Sequence, residues 1–248
     1  MLTIALAVAV VAAVRGMWSP CGLSMLSSLN PVSEQARGNR FWLTALWYVT
    51  GAVAGGAALG AGCALAASAL GRLHLSAPVC WTLVAGASLI AVASDTAVFG
   101  RSLPEHPRQV DERWLTRYRR WIYASGYGVQ IGAGFATYIM TAAVYLTAAL
   151  AVLTASPAQA FAVCVAFGAV RGLTIVLAAD ARTPERLRAA HRRLDRLAAP
   201  SLWVAVAVET AAATVGGWQL AGPVAAAVAA LAAGGCVLAV RRPRVVAS

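Results

Sequence analysis

Long apolar stretches, cut by short runs of arginine, constrain this chain more than any other feature. Seven stretches can be read, at 2–29, 41–70, 77–99, 122–153, 157–179, 200–217 and 222–240. A helix needs roughly 20 apolar residues to cross the hydrocarbon core of a bilayer. Inside hydrocarbon, each backbone N–H and C=O must find its partner within a helix or a closed barrel. Barrel strands would show short alternating segments, whereas the apolar runs here are continuous. The expected fold is therefore all-α: a polytopic membrane helical bundle of about seven spans, forming one domain over 1–248. Composition supports this. The chain is 60% hydrophobic and 12% charged, where a soluble domain carries about 25% charged residues. Mean hydropathy is +0.71.

The formal net charge is +11, and all 20 basic residues are arginine. Their placement speaks for membrane topology and against nucleic-acid binding. Arg37 and Arg40 follow span one. Arg101, Arg108, Arg113, Arg117, Arg119 and Arg120 follow span three. Arg182, Arg186, Arg188, Arg192, Arg193 and Arg196 follow span five, and Arg241, Arg242 and Arg244 close the chain. Seven spans put these seventeen arginines on one face, and the opposite loops hold only Arg72. The excess of arginine marks the cytoplasmic side. The expectation is a multi-pass plasma-membrane protein with its N-terminus outside and its C-terminus in the cytoplasm. Met1 to Val14 lacks the basic start and cleavage site of a leader, and is read as part of span one.

The segment from Thr183 has the pattern of an amphipathic helix. Thr183 suits the cap, Pro184 the first helical position and Glu185 the first turn. Leu187, His191, Leu194 and Ala198 recur at helical spacing, which predicts a helix lying on the anionic inner leaflet. Arg113 to Arg120 reads similarly, with Trp114 and Tyr118 as interfacial anchors.

Residues 1–100 and 121–217 can be laid over each other with opposite orientation, as in an inverted 3+3 repeat. Residues 222–240 are then an extra C-terminal helix. Span one carries Gly16, Pro20 and Gly22. Span four carries Gly126, Gly128, Gly132 and Gly134, then Thr137 and Tyr138. Glycine pairs four apart occur at Gly51/Gly55, Gly56/Gly60, Gly128/Gly132 and Gly168/Gly172, which predicts close helix packing within the bundle.

Candidate chemistry centres on Arg15-Gly-Met-Trp-Ser-Pro-Cys-Gly in span one. Pro20 offers no N–H to the carbonyl of Gly16, so a kink is expected, with Cys21 beside unsatisfied carbonyls. Arg15, Asp95, Arg171 and Glu209 are ionisable residues inside spans. Such groups line a path or pair with each other, and Arg171 with Glu209 is one pairing to expect. Tyr138 joins them as a candidate path residue. The five cysteines include no C-x-x-C and no metal-ligand spacing, so no metal and no cofactor are expected. Cys63, Cys80 and Cys164 fall in the outer half of the bundle, where a pair among them is an open alternative.

The run Trp18-Ser-Pro-Cys-Gly-Leu-Ser-Met-Leu resembles the first-span motif of the DsbD/CcdA membrane electron transporters, within a LysE-like superfamily. The resemblance implies two inverted three-helix repeats. It also implies transfer of reducing equivalents from a thioredoxin-like partner to thiol proteins, as in cytochrome c biogenesis, with Cys21 and Pro20 as the reactive motif. That family carries a second reactive cysteine in span four, where this chain has Thr137 and Tyr138. Two other classes stand beside this one. One is a LysE-like exporter of a small solute, with Arg15, Arg171 and Glu209 lining its path. The other is a non-transporting membrane assembly factor. A second cysteine near Cys21, a water-filled midplane cavity, or a tightly packed core would discriminate among the three. In each case the bilayer is a partner.

Overall fold

The computed structural model describes residues 1–98 and 113–240. These residues are helical, with no strand among them. Arg101, Arg108 and the C-terminal Arg241, Arg242 and Arg244 lie outside the described residues, as does the end of the third expected span.

In chain order the helices are α1 (Leu2–Arg15), α2 (Pro20–Ser28), α3 (Pro31–Ala36), α4 (Phe41–Arg72), α5 (Ala77–Asp95), α6 (Trp114–Arg117), α7 (Arg120–Gly132), α8 (Ala143–Leu153), α9 (Pro157–Leu173) and α10 (Pro184–Val240). Short 3-10 turns cover Gly16–Trp18 and Thr174–Ala178. Four helical segments are by themselves long and apolar enough to cross a membrane: Phe41–Arg72, Ala77–Asp95, Pro157–Ala178 and the apolar part of α10. A fifth arises if Leu2–Trp18 and Pro20–Ser28, bent by 66° against each other, count as one span.

Several expected spans therefore take a different form. The stretch read at 122–153 is two shorter helices, α7 and α8, separated by an irregular segment at 133–142. The stretches read at 200–217 and 222–240 belong to α10, which breaks at Ala221 and Gly222. Gly222 has φ of +71° there, a conformation that suits a residue without Cβ. Arg113 to Arg120 forms only the single turn of α6, with Trp114 stacked edge-on to Tyr118 at 5.6 Å. Hydropathy measures apolar length and cannot see such breaks.

The centre of the bundle is α4, which packs along α9 on one side and α7 on the other. Its glycines form the seams. A Cβ on Gly56 would stand 2.6 Å from the carbonyl oxygen of Cys164, and one on Gly168 would stand 2.8 Å from Cα of Gly56. Gly51 and Gly55 meet the α7 backbone at Ser125 and Val129 in the same way, while Gly128 and Gly132 meet α4 at Tyr48 and Ala52. All four glycine pairs read from the sequence thus serve close packing inside one chain. α5 lies against α10, and α1 packs on α8, α9 and α10.

The amphipathic segment at 184–199 is capped by Thr183, whose hydroxyl accepts from the Arg186 N–H at 3.3 Å. Hydrogen bonds from its own backbone N–H and then from the Thr183 side chain hold the exposed Glu185 carboxyl below the usual range. The segment runs on into the apolar part of α10 without a helical break. Part of its apolar stripe packs on the protein itself. Leu187 and Leu194 pack with Met17, Met25 and Leu26, and the His191 ring lies 3.1 Å from the Ser27 hydroxyl. The stripe covers the bent first span, whose apolar face would otherwise lack a partner.

Candidate functional site

Two interruptions of the helical backbone meet near the middle of the bundle. The first is at Gly16 to Pro20. The chain leaves α1, turns through Gly16–Trp18 and re-enters a helix at Pro20, so proline takes the first position of α2, where its missing N–H leaves no gap. Ser19 caps α2 by accepting from the Gly22 N–H at 3.2 Å, and its hydroxyl donates to the Gly16 carbonyl at 2.7 Å. The expectation of unsatisfied carbonyls beside Cys21 is corrected here, because Ser19 supplies the donor that Pro20 lacks. Gly22 is needed for closeness: a Cβ there would lie 2.8 Å from the Gly16 carbonyl oxygen. Cys21 is buried in the first turn of α2, while Pro20 is exposed.

The second interruption is at 133–142. Gly134 has φ of +71°, and Phe167 leaves room for no more than its hydrogen. The chain resumes as α8, whose first N–H groups have no partner inside the helix. Asp95, from the end of α5, fills that need. Its carboxylate accepts from the Ala142 N–H at 2.6 Å and from the Thr141 hydroxyl. Asp95 therefore caps a helix that starts inside the protein. Tyr138 lies half-buried in this irregular segment.

Arg171 of α9 connects the two interruptions. Its guanidinium packs against Gly16, where a Cβ would stand 2.8 Å from Cζ, and donates to the Thr137 hydroxyl at 3.5 Å. It also lies 5.6 Å from the Phe167 ring centre. Arg171 is 3% exposed. Tyr48 and Cys21 are both within electrostatic range of it. Neither the Arg171 Nε nor the Tyr48 hydroxyl has a hydrogen-bond partner among the described residues. Both line a small space shared with Met17, Met25 and Ile131, of about 10 Å³, close to the least that holds one water molecule.

Arg15 turns the other way. It donates to the Ala198 carbonyl at 3.2 Å and the Ser201 hydroxyl at 2.8 Å, and it sits 5.8 Å from the Trp18 ring. Arg171, rather than Arg15, is thus the guanidinium near Cys21. Glu209 is fully buried on α10, and neither of its carboxylate oxygens has a partner among the described residues. Its charged neighbour is Asp95, which also lies within range of Arg15. The anticipated pairing of Arg171 with Glu209 is not formed. The four ionisable residues read within the spans divide instead into Arg171 at the junction and Arg15, Asp95 and Glu209 where α1, α5 and α10 come together.

Sequence reasoning missed two parts of this architecture. Tyr48 was not singled out, because an aromatic residue in an apolar run carries no distinguishing pattern. Glu34 falls outside the seven apolar stretches, yet it is a fully buried acceptor. It takes bonds from Arg37 at 2.8 Å, Thr44 at 2.5 Å and Tyr123 at 3.0 and 2.9 Å. Asn30 capping α3, Pro31 at its first position and the Glu34/Arg37 spacing were the available signals. Cys63 and Cys164 lie in thiol contact across the α4–α9 seam. Among the described residues no cluster of side chains is suited to a metal ion.

No family model matches this chain, and no solved structure matches it. Curated relatives do. The chain is 30% identical over 165 residues to the methylamine utilization protein MauF of Paracoccus versutus, covering 64% of this chain and 59% of that protein. Against MauF of Paracoccus denitrificans it is 30% identical over 177 residues, covering 69% and 62%. MauF of Methylorubrum extorquens is 30% identical over 166 residues, with 64% and 56% covered. The chain thus spans about three fifths of the length of these relatives.

Proposed function

We propose that this protein is a membrane-embedded factor in methylamine utilization, acting as a non-transporting assembly factor. Similarity to several MauF proteins supports the process. The observation that carries the mode of action is the closed junction at Arg171. Its free space of about 10 Å³ is too small for a solute path, and its charged side chains are packed against glycine and aromatic surface. In our reading the chain has seven spans arranged as an inverted 3+3 repeat plus one helix, with the N-terminus outside. Spans one and four are the two broken ones. The charge distribution and the corresponding positions of the breaks support this arrangement.

A second reading, thiol–disulfide exchange through Cys21, is favoured by one observation, the location of Arg171 and Tyr48 beside that thiol. Exchange through an intramolecular disulfide needs a second thiol, and Thr137 and Tyr138 stand where the DsbD/CcdA-like pattern would supply it.

One growth experiment separates these readings. A bacterium that grows on methylamine and has lost its own MauF is supplied with this chain, with Cys21→Ser or with Arg171→Met. Recovery by the native chain and by Cys21→Ser, with loss in Arg171→Met, is the result expected. Loss with Cys21→Ser at normal membrane levels would move the thiol reading to the front. Failure of the native chain, present in the membrane at those levels, would remove the proposal.

A further inference from the structure

A second pocket lies away from the Arg171 junction. It is a groove of about 350 Å³ between the first part of α10, the segment Leu177 to Ala181 that follows α9, and the bent first span. Its walls are apolar: Trp18, Leu26, Leu177, Leu194 and Leu197. Trp18 is fixed in place, because its indole N–H donates to the Leu194 carbonyl at 2.8 Å. The rim is charged. Asp180 and Arg186 pair at 2.7 Å and so largely cancel. Arg193, also on the rim, is exposed and has no hydrogen bond or ion pair from the described residues. One uncompensated cation therefore stands over an apolar slot, on the face that the arginine distribution assigns to the cytoplasm.

We propose that this groove is a binding site for an anionic phospholipid of the inner leaflet. The two halves of the groove call for an amphiphile. A free phosphate or nucleotide would leave the leucine wall exposed to water, and an uncharged hydrocarbon would leave Arg193 without a counter-ion. A lipid satisfies both, with its phosphate on Arg193 and part of an acyl chain against Leu26, Leu177, Leu194 and Leu197. Basic pockets between helices on the cytoplasmic side bind headgroups by this combination. Local charge favours it as well. Arg182, Arg188, Arg192 and Arg196 fall in the same stretch of sequence as Arg193, against Glu185 and Asp195. The site adjoins the break in span one through Trp18 and Arg15, so an occupied groove would brace the α10 segment against that break.

The test titrates delipidated, full-length protein in mild detergent with phosphatidylglycerol, phosphatidylcholine or inorganic phosphate, and counts bound molecules by native mass spectrometry. One molecule of phosphatidylglycerol is expected to bind with clear preference over phosphatidylcholine, undisturbed by phosphate. Arg193→Gln should weaken it about fivefold, as removal of one arginine from an anionic headgroup implies. Ala189→Trp, which fills the groove from an exposed position on its lining, should abolish it, and Arg72→Gln at the far end of α4 should leave it unchanged. Equal binding of the two lipids, competition by phosphate, or equal losses in Arg193→Gln and Arg72→Gln would overturn the proposal.

Discussion

Glu34 and Glu209 are both fully buried glutamates, and they solve the problem of burial in opposite ways. Glu34 is enclosed by donors from three helices: Arg37 on its own turn, Thr44 on α4 and Tyr123 on α7. Asn39 extends the network by donating to the Tyr123 hydroxyl at 3.1 Å. Glu209 has no donor among the described residues, and another carboxylate, Asp95, is its charged neighbour. A buried charge is tolerable when paired and hydrogen-bonded, and costly otherwise. The first arrangement is therefore structural: it ties α3 to α4 and α7. The second works against stability, and a buried group left unsatisfied in a native fold calls for a functional account.

The contrast can be broken experimentally. Glu34→Ala should have the largest effect, a loss of about 3–5 kcal/mol, because it strands buried donors around an empty site. Thermal unfolding in detergent would show it, and a loss under about 1 kcal/mol would mean that the network is not structural. Tyr123→Phe removes one bifurcated hydrogen bond to a charged acceptor and should cost about 1.5–3 kcal/mol by the same measurement. Thr44→Val keeps the shape and removes one such bond, for an expected loss of about 1.5 kcal/mol. Glu209→Gln should have the smallest effect on stability, within about 1 kcal/mol of the native chain or more stable, since it keeps the shape and replaces a carboxyl that has no donor beside it. In the methylamine growth assay Glu209→Gln should nevertheless fail. A variant that grows normally would make Glu209 a tolerated defect and end the functional side of the comparison.

Much of this architecture is legible in the residue order. Tight glycine spacing marked the seams of α4, α7 and α9, because only a missing side chain lets backbones touch. Gly16, Pro20 and Gly22 marked the first break. The second break was legible only as a cluster of glycines, and its extent from 133 to 142 was not, because Phe135, Tyr138, Ile139 and Met140 are apolar enough to pass for helix. The stripe at Leu187, His191, Leu194 and Ala198 was correctly seen as one face. Its partner was not, since a stripe that suits a lipid surface also suits the side of another helix.

The sequence by itself determined that the chain is helical and apolar, that its charges gather in a few segments, and where its helices come closest. These properties are local or periodic, and periodicity is written in residue order. Only the tertiary structure decided which buried charges meet which partners. It set Arg171 against Gly16 and Thr137, Asp95 at the start of α8, and Glu34 within reach of Tyr123, 89 positions away. Such pairings depend on helix rotation and depth, which vary continuously, and a shift of a single turn would exchange one partner for another.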